Sequence, residues 1–247
     1  MDKERRNKEK RLFVPQEIVA TYTKTPVIID GKLDDPAWKK AVRYKLSLSR
    51  DRKPDIPQEG GEVMLTWDDE HLYIGAYLID SDIVQKGDED QMHFYTTGDV
   101  LEVFLKPEIE EWYWELYGTP NNKKTVFWFP SRKFLGIFRN MDKWTKNMID
   151  MKVAAQIEGT LNNSNDKDRY WTIEISLPVR NIAPWYMFTP RQEYYFGQGS
   201  QWRILISRYN YSRYLEREEL SMFPQLSHTN FHFLEEYGVI RFEKYVC

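Results

Sequence analysis

Cysteine is almost missing from this chain: Cys247 is the single one in 247 residues. A lone terminal thiol can form no internal disulfide and makes a poor nucleophile, which removes disulfide scaffolds and Cys-based catalysis. Histidine is nearly as sparse, with 4 residues, so a His-rich metal centre has little to draw on. His228 and His232 have helical spacing, but Thr229 stands where a zinc-protease helix carries Glu beside its first His. An excess of positive charge is lacking too. The net charge is -3, and no basic face for phosphates is visible beyond the first eleven residues. No apolar run approaches the roughly 20 residues of a membrane-crossing helix. Nor does an apolar segment come after the basic start, so the chain reads as cytoplasmic or as a chain whose leader has been removed. The segment Gly197-Gln198-Gly199-Ser200 precedes an extended stretch rather than a helix, and cannot aim helix N–H groups at phosphate. A Gly-x-Ser-x-Gly elbow does not occur.

Aromatic residues are plentiful instead. With 9 Trp, 16 Tyr and 13 Phe, the chain has enough large rings to build a substantial core, despite an apolar fraction of only 41%. Met1 to Arg11 is a run of alternating charges and reads as a solvated tail over residues 1–12, ahead of one domain over 13–247. Period-2 alternation dominates that domain. Val63, Leu65 and Trp67 alternate before the acidic turn Asp68-Asp69-Glu70, and Leu72, Ile74, Ala76 and Leu78 alternate after it, which predicts a hairpin. The second run is apolar on both faces, so its strand should be central. Further strands are expected at Val100–Leu105, Trp112–Tyr117, Thr125–Phe129, Lys152–Ile157, Tyr170–Leu177, Trp202–Arg208 and Gly238–Phe242. Helical signals are short, one turn after Pro36 and one over Pro178–Ile182. The pattern predicts an all-β, antiparallel β-sandwich with a few short helical turns.

Carboxylates are the main candidates for chemistry. Glycoside hydrolysis requires two of them flanking a bond, and Asp99, Glu102, Glu108, Glu110, Glu111 and Glu115 offer several pairs. Glu108, Glu110 and Glu111 come after Pro107 and read as a solvated turn.

Asp30-Gly31-Lys32-Leu33-Asp34-Asp35-Pro36-Ala37-Trp38 resembles the opening motif of family 9 carbohydrate-binding modules. The likeness continues in order through Thr66–Gly75, Gly98–Leu105, Tyr113–Leu116, Trp171–Pro178, Trp202–Arg208 and Tyr237–Phe242. The resemblance implies a β-sandwich that holds a saccharide between aromatic rings, in the context of polysaccharide degradation beside a separate glycoside hydrolase. It also implies secretion or a periplasmic location. Pyranose rings offer an apolar C–H face for stacking and a rim of hydroxyls for hydrogen bonds. Where the family has its first clamp Trp this chain has Thr96, with Tyr95 beside it as the stand-in; Phe223 takes the second aromatic position. Glu102 and Arg208 match family positions that bond hydroxyls, and are expected with Tyr95 and Phe223 around one concavity. A structural calcium is implied as well, for which Asp80, Asp82 and Asp99 are the expected ligands, within a stretch that also holds Asp88 and Asp90. Two other readings stay open: a glycosidase using two of the acids above, and a haem-binding redox domain using Met64, Met92, His71 and His93.

Overall fold

In the computed structural model, residues 15–134, 145–180, 182–183 and 194–244 are described. The charged run Met1–Arg11 lies outside them. Twelve strands run in chain order: β1 (Glu17–Tyr22), β2 (Tyr44–Lys45), β3 (Gly61–Trp67), β4 (His71–Ile79), β5 (Val100–Pro107), β6 (Tyr113–Gly118), β7 (Lys124–Phe129), β8 (Lys152–Glu158), β9 (Tyr170–Pro178), β10 (Trp202–Asn210), β11 (Glu219–Phe223) and β12 (Gly238–Glu243). Among the described residues helix amounts to little: α1 (Pro36–Lys40) and 3-10 turns at Phe94–Thr96, Arg132–Phe134 and Leu234–Glu236. Pro178 closes β9 and a bend comes after it, where a helical turn was expected; Asn181 is outside the described residues.

The alternating runs became strands because every second side chain enters one core. That core takes Leu101, Val103 and Leu105 from β5 and Trp114 and Leu116 from β6. Opposite them stand Leu72, Ile74 and Ala76 of β4 and Ile173 and Ile175 of β9. The strands form one hydrogen-bonded path, β7-β6-β5-β10-β12-β1-β3-β4-β9-β8, with β11 added to β10 and β2 to β3. The path folds over, so that its two halves face each other across the core like the layers of a sandwich. β4 is central, as its two apolar faces required.

Two features depart from expectation. The sheet is mixed, because β1 runs parallel to both β12 and β3. It closes the seam between the two halves, and its Ile18 and Ala20 are fully buried there. β11 has no counterpart among the expected strands: in Glu219-Leu220-Ser221-Met222-Phe223 only Leu220 and Met222 alternate with polar residues, after a run of charges.

The Asp30–Trp38 segment turns out to be an anchor for the fold. Glu174 on β9 accepts hydrogen bonds from the backbone N–H of Asp30 (2.9 Å) and Gly31 (2.8 Å), and from Trp38 Nε1 (2.8 Å). Gly31 is required at its position. Its φ is +84°, and a Cβ there would lie 2.7 Å from the backbone carbon of Ala155. The outer edge of β7 is capped in a comparable way. The Gln91 carboxamide accepts from Val126 N–H (3.0 Å) and donates to Val126 O (2.6 Å), standing in for a neighbouring strand.

Trp38 is 1% exposed and packs with Val27, Met64 and Tyr73. Trp38→Ala is therefore expected to cost about 3–5 kcal/mol, measured by equilibrium denaturation; a loss below about 1 kcal/mol would make the anchor peripheral.

Candidate binding face

Strand alternation assigns the candidate residues to faces. On β5, Leu101, Val103 and Leu105 point into the core, so Val100, Glu102 and Phe104 stand on the opposite, outer face. Registry carries the same face across the neighbours. Glu102 is opposite Tyr117 of β6 and Ser207 of β10, Phe104 is opposite Glu115, and Glu115 is opposite Phe127 of β7. Two segments roof this outer face. Phe94 and Tyr95 cover the end near Val100, and Phe231, His232 and Tyr237 cover the end near Phe104.

A belt of rings lies between these covers, with Tyr95, Tyr209, His93, His232 and Phe129 half-buried and the others buried. Tyr95 faces Tyr209 at 5.5 Å with planes 32° apart, and Tyr209 meets Phe231 edge-on at 5.6 Å. His93 lies against Phe127 at 4.7 Å, and His232 packs edge-on against Phe104, Tyr113 and Phe129. Beneath the belt are two carboxyl groups, Glu102 (2% exposed) and Glu115 (5% exposed). Ser207 Oγ donates to Glu102 at 3.1 Å, and the Tyr117 hydroxyl donates to Glu115. Among the described residues no Lys or Arg bonds either one. His232 Nε2 lies 3.9 Å from Glu115, too long for a hydrogen bond.

Burial without a counter-cation raises both pKa values, since the charged form loses its water. Glu115 is pushed up to about 7, and Glu102 is raised well above the carboxylate range, with the Glu115 charge adding to its burial. His232 moves the other way, down to about 4, through burial and then the nearby Arg132. It is neutral at neutral pH, and its Nδ1 shares a 2.9 Å hydrogen bond with the Tyr113 hydroxyl.

Of the four residues expected around one concavity, the structure brings together Tyr95 and Glu102 only. Arg208 is next to Ser207 in the strand, so it points to the other face and is fully buried. Its Nη2 donates to Asp80 (2.8 Å) and Asn210 (2.9 Å), and its Nη1 to the carbonyls of Glu59 (3.0 Å) and Ile79 (2.8 Å). Phe223 also lies on the core side, tilted by 31° against Tyr44 with ring centroids 4.6 Å apart. It cannot face Tyr95 across a gap. A one-residue change along a strand reverses the face, and similarity of motifs does not reveal which face a neighbour takes. Sequence reasoning left Tyr209, Tyr117 and His232 out of the site. The alternation of Leu205, Ser207 and Tyr209 was the signal that could have placed Tyr209.

The three aspartates expected to hold calcium are engaged in other bonds. Asp80 pairs with Arg208 and accepts from Trp171 Nε1 (3.1 Å) and Asp82 N–H (3.0 Å). Asp99 accepts from the backbone of Val84 and Tyr211, each at 2.7 Å. Asp82 Oδ2 accepts from Arg213 N–H (2.9 Å), which leaves Asp82 Oδ1 as the one buried oxygen of the three without a partner. Among the described residues no three His, Cys, Asp or Glu side chains converge as a metal site. Calcium needs six or more oxygens, and these residues do not fit it. The residues considered for haem fall into two groups: Met64 and His71 at the cluster of Trp38 and Tyr73, and Met92 and His93 in the Phe94–Phe127 region. Of the acids considered for hydrolysis, Glu108 is clamped by Arg203 through two 2.6 Å bonds and Glu110 accepts from Tyr194. Those two line one cleft with Glu111, Lys106 and Arg132, whereas Glu102 and Glu115 share the outer face beneath the rings.

These surroundings predict two outcomes. Arg208→Met leaves Asp80 buried without its cation and should cost about 3–5 kcal/mol in a denaturant titration. Glu115 has a folded-state pKa above its ordinary 4.5, so its contribution is fully present below about pH 4.5 and is lost as pH rises through about 7. Wild-type stability should fall across that window by about 3 kcal/mol more than that of Glu115→Gln; parallel pH profiles of the two would contradict the assignment.

No curated protein matches the chain. Among solved structures, a protein from Bacteroides uniformis assigned as carbohydrate-binding is similar over 93% of this chain and 100% of its own, with a TM-score of 0.64 at 10% identity. A family 9 carbohydrate-binding module from Caldicellulosiruptor kristjanssonii, in complex with cellotriose, is similar over 94% of this chain and 95% of its own (TM-score 0.57, 16% identity). The glucose complex of a family 9 module from that organism gives a TM-score of 0.59 at 15% identity, over 94% and 97% of the two chains. At these identities the likeness establishes a common fold. The model of the family described as carbohydrate family 9 binding domain-like matches residues 29–187, and the chain belongs to that family.

Proposed function

We propose that this chain is a saccharide-binding domain whose ligand sits on the outer face of β5, β6 and β10. The observation that carries the reading is the juxtaposition of half-buried rings with hydrogen-bonding groups beneath them: Tyr95 and Tyr209 above, Glu102, Glu115 and Tyr117 below. The rings supply an apolar wall for a pyranose face, and the carboxyl and hydroxyl groups match its rim. Family membership supports the same ligand class, as do the cellotriose and glucose bound by the Caldicellulosiruptor modules. A role in polysaccharide breakdown, next to a hydrolase on another chain, is part of this proposal.

Hydrolysis at this face would use the same two carboxyl groups, Glu102 and Glu115, which are diagonal neighbours on β5 and β6. Reducing ends released from a glycan panel, and lost in Glu102→Gln and Glu115→Gln, would replace binding by catalysis. For binding, isothermal titration with cellotriose and other neutral trisaccharides is the test. Tyr95→Ala should weaken the best ligand at least about 30-fold, the effect of losing an aromatic anchor worth about 2 kcal/mol, while the circular dichroism spectrum is unchanged. Equal affinities in the two proteins would move the site elsewhere.

A further inference from the structure

Glu102 and Glu115 form a carboxyl pair for which the fold provides no cation among the described residues. They are diagonal neighbours on adjacent antiparallel strands, both buried on one face, with Tyr117 directly opposite Glu102 and its hydroxyl donating to Glu115. Two buried carboxylates in diagonal positions, with no Lys or Arg bonded to them among the described residues, repel each other and lose their hydration together. A proton neutralises them.

The groups facing the pair from each packed element are consistent with this. On β6, Tyr113 and Tyr117 carry phenols that burial keeps protonated. On β10, Tyr209 is likewise raised, by burial first and then by Glu102. β7 and β11 contribute Thr125, Phe127, Phe129, Leu220 and Met222, none of them titratable. The cover near Val100 brings His93, Tyr95 and Tyr211. The cover near Phe104 brings Tyr237 and the neutral His232, with Arg132 acting on His232 rather than on either carboxyl group.

We propose that Glu102 and Glu115 act as one proton-sharing unit at the floor of the saccharide site, and that a neutral sugar binds with uptake of a proton by this pair. This inference rests on the saccharide-binding reading above. A sugar ring over the pair closes what little exposure remains, 2% at Glu102 and 5% at Glu115, and brings no positive charge, so it disfavours the ionised form further. By linkage, whatever raises the pair's proton affinity on binding makes ligand affinity depend on pH in the same measure. A pair holding its proton also offers an O–H donor and carboxyl acceptors side by side, the complement of two adjacent sugar hydroxyls, each both donor and acceptor. The linkage has a definite sign. Affinity is highest where the free pair is already protonated, and falls as pH rises above 7, by up to roughly tenfold per pH unit for one linked proton.

The experiment is calorimetric titration of the full chain with a panel of neutral trisaccharides that includes cellotriose, at pH 5.5, 7 and 8.5. Each titration is repeated in phosphate and in Tris, whose ionisation enthalpies differ. The expected result is weaker binding at pH 8.5 than at pH 5.5, by tenfold or more. The buffer dependence of the heat should show protons taken up near neutral pH. In Glu115→Gln, whose amide keeps the shape without the titration, both the pH dependence and the uptake should shrink. Tyr117→Phe, which keeps both carboxyl groups, should retain the pH dependence. Binding without pH dependence or proton uptake overturns this inference and leaves the saccharide reading standing. Binding to none of the panel at any pH overturns both.

Discussion

Arg208 is the interaction on which the arrangement of the sheet depends. One guanidinium reaches from β10 to the carbonyls before β3 and at the end of β4, and to Asp80 beyond β4. Asp80 in turn accepts from Trp171 of β9. Three parts of a folded-over sheet therefore meet at one buried charge pair. Such a pair gains little over an apolar equivalent, but it fixes geometry, because leaving either partner alone is costly. The pair also decides what β10 can present outward. With Arg208 turned to the core, Ser207 and Tyr209 must face the other way, toward Glu102.

That division explains how one protein buries several charges so differently. Away from the outer face of β5 and β6 the buried carboxylates have donors: Glu174 holds the Asp30–Trp38 loop, Asp99 holds two backbone N–H groups, and Asp80 holds Arg208. On the outer face Glu102 and Glu115 receive hydroxyl bonds and, among the described residues, no cation. These acids and Asp82 are held by backbone N–H groups, indoles or Arg208, with one Asp82 oxygen left over, whereas the two beneath the aromatic belt are held by hydroxyls. This contrast, rather than the count of acidic residues, distinguishes the candidate site from the remainder of the surface.

Much of the fold was legible because period-2 alternation is a direct record of burial. The hairpin around Asp68 is an example: Val63, Leu65 and Trp67 and then Leu72, Ile74 and Ala76 enter the core, and Asp68 itself caps the turn by accepting from Glu70 and His71 N–H. β1 and β11 were harder to read, since a parallel seam strand and a short half-polar strand carry little alternation of their own. The site was legible in part. Glu102 and Tyr95 share the outer face as expected, but Arg208 and Phe223 were assigned to it by motif order, which fixes position along a strand and not the face. Asp80, Asp82 and Asp99 looked like metal ligands because carboxylates that accept backbone N–H bonds are indistinguishable in sequence from free ones.

The central claim is that ligand recognition belongs to the outer face of β5, β6 and β10. The most direct measurement is an amide and tyrosine-ring NMR titration with the neutral trisaccharide that binds best. The account predicts that the largest shifts fall on Tyr95, Glu102, Glu115, Tyr117 and Tyr209, with Arg208, Asp80 and Phe223 nearly unmoved. Shifts centred on Phe223 and Tyr44, or on the cleft lined by Lys106, Arg132 and Glu235, would contradict it.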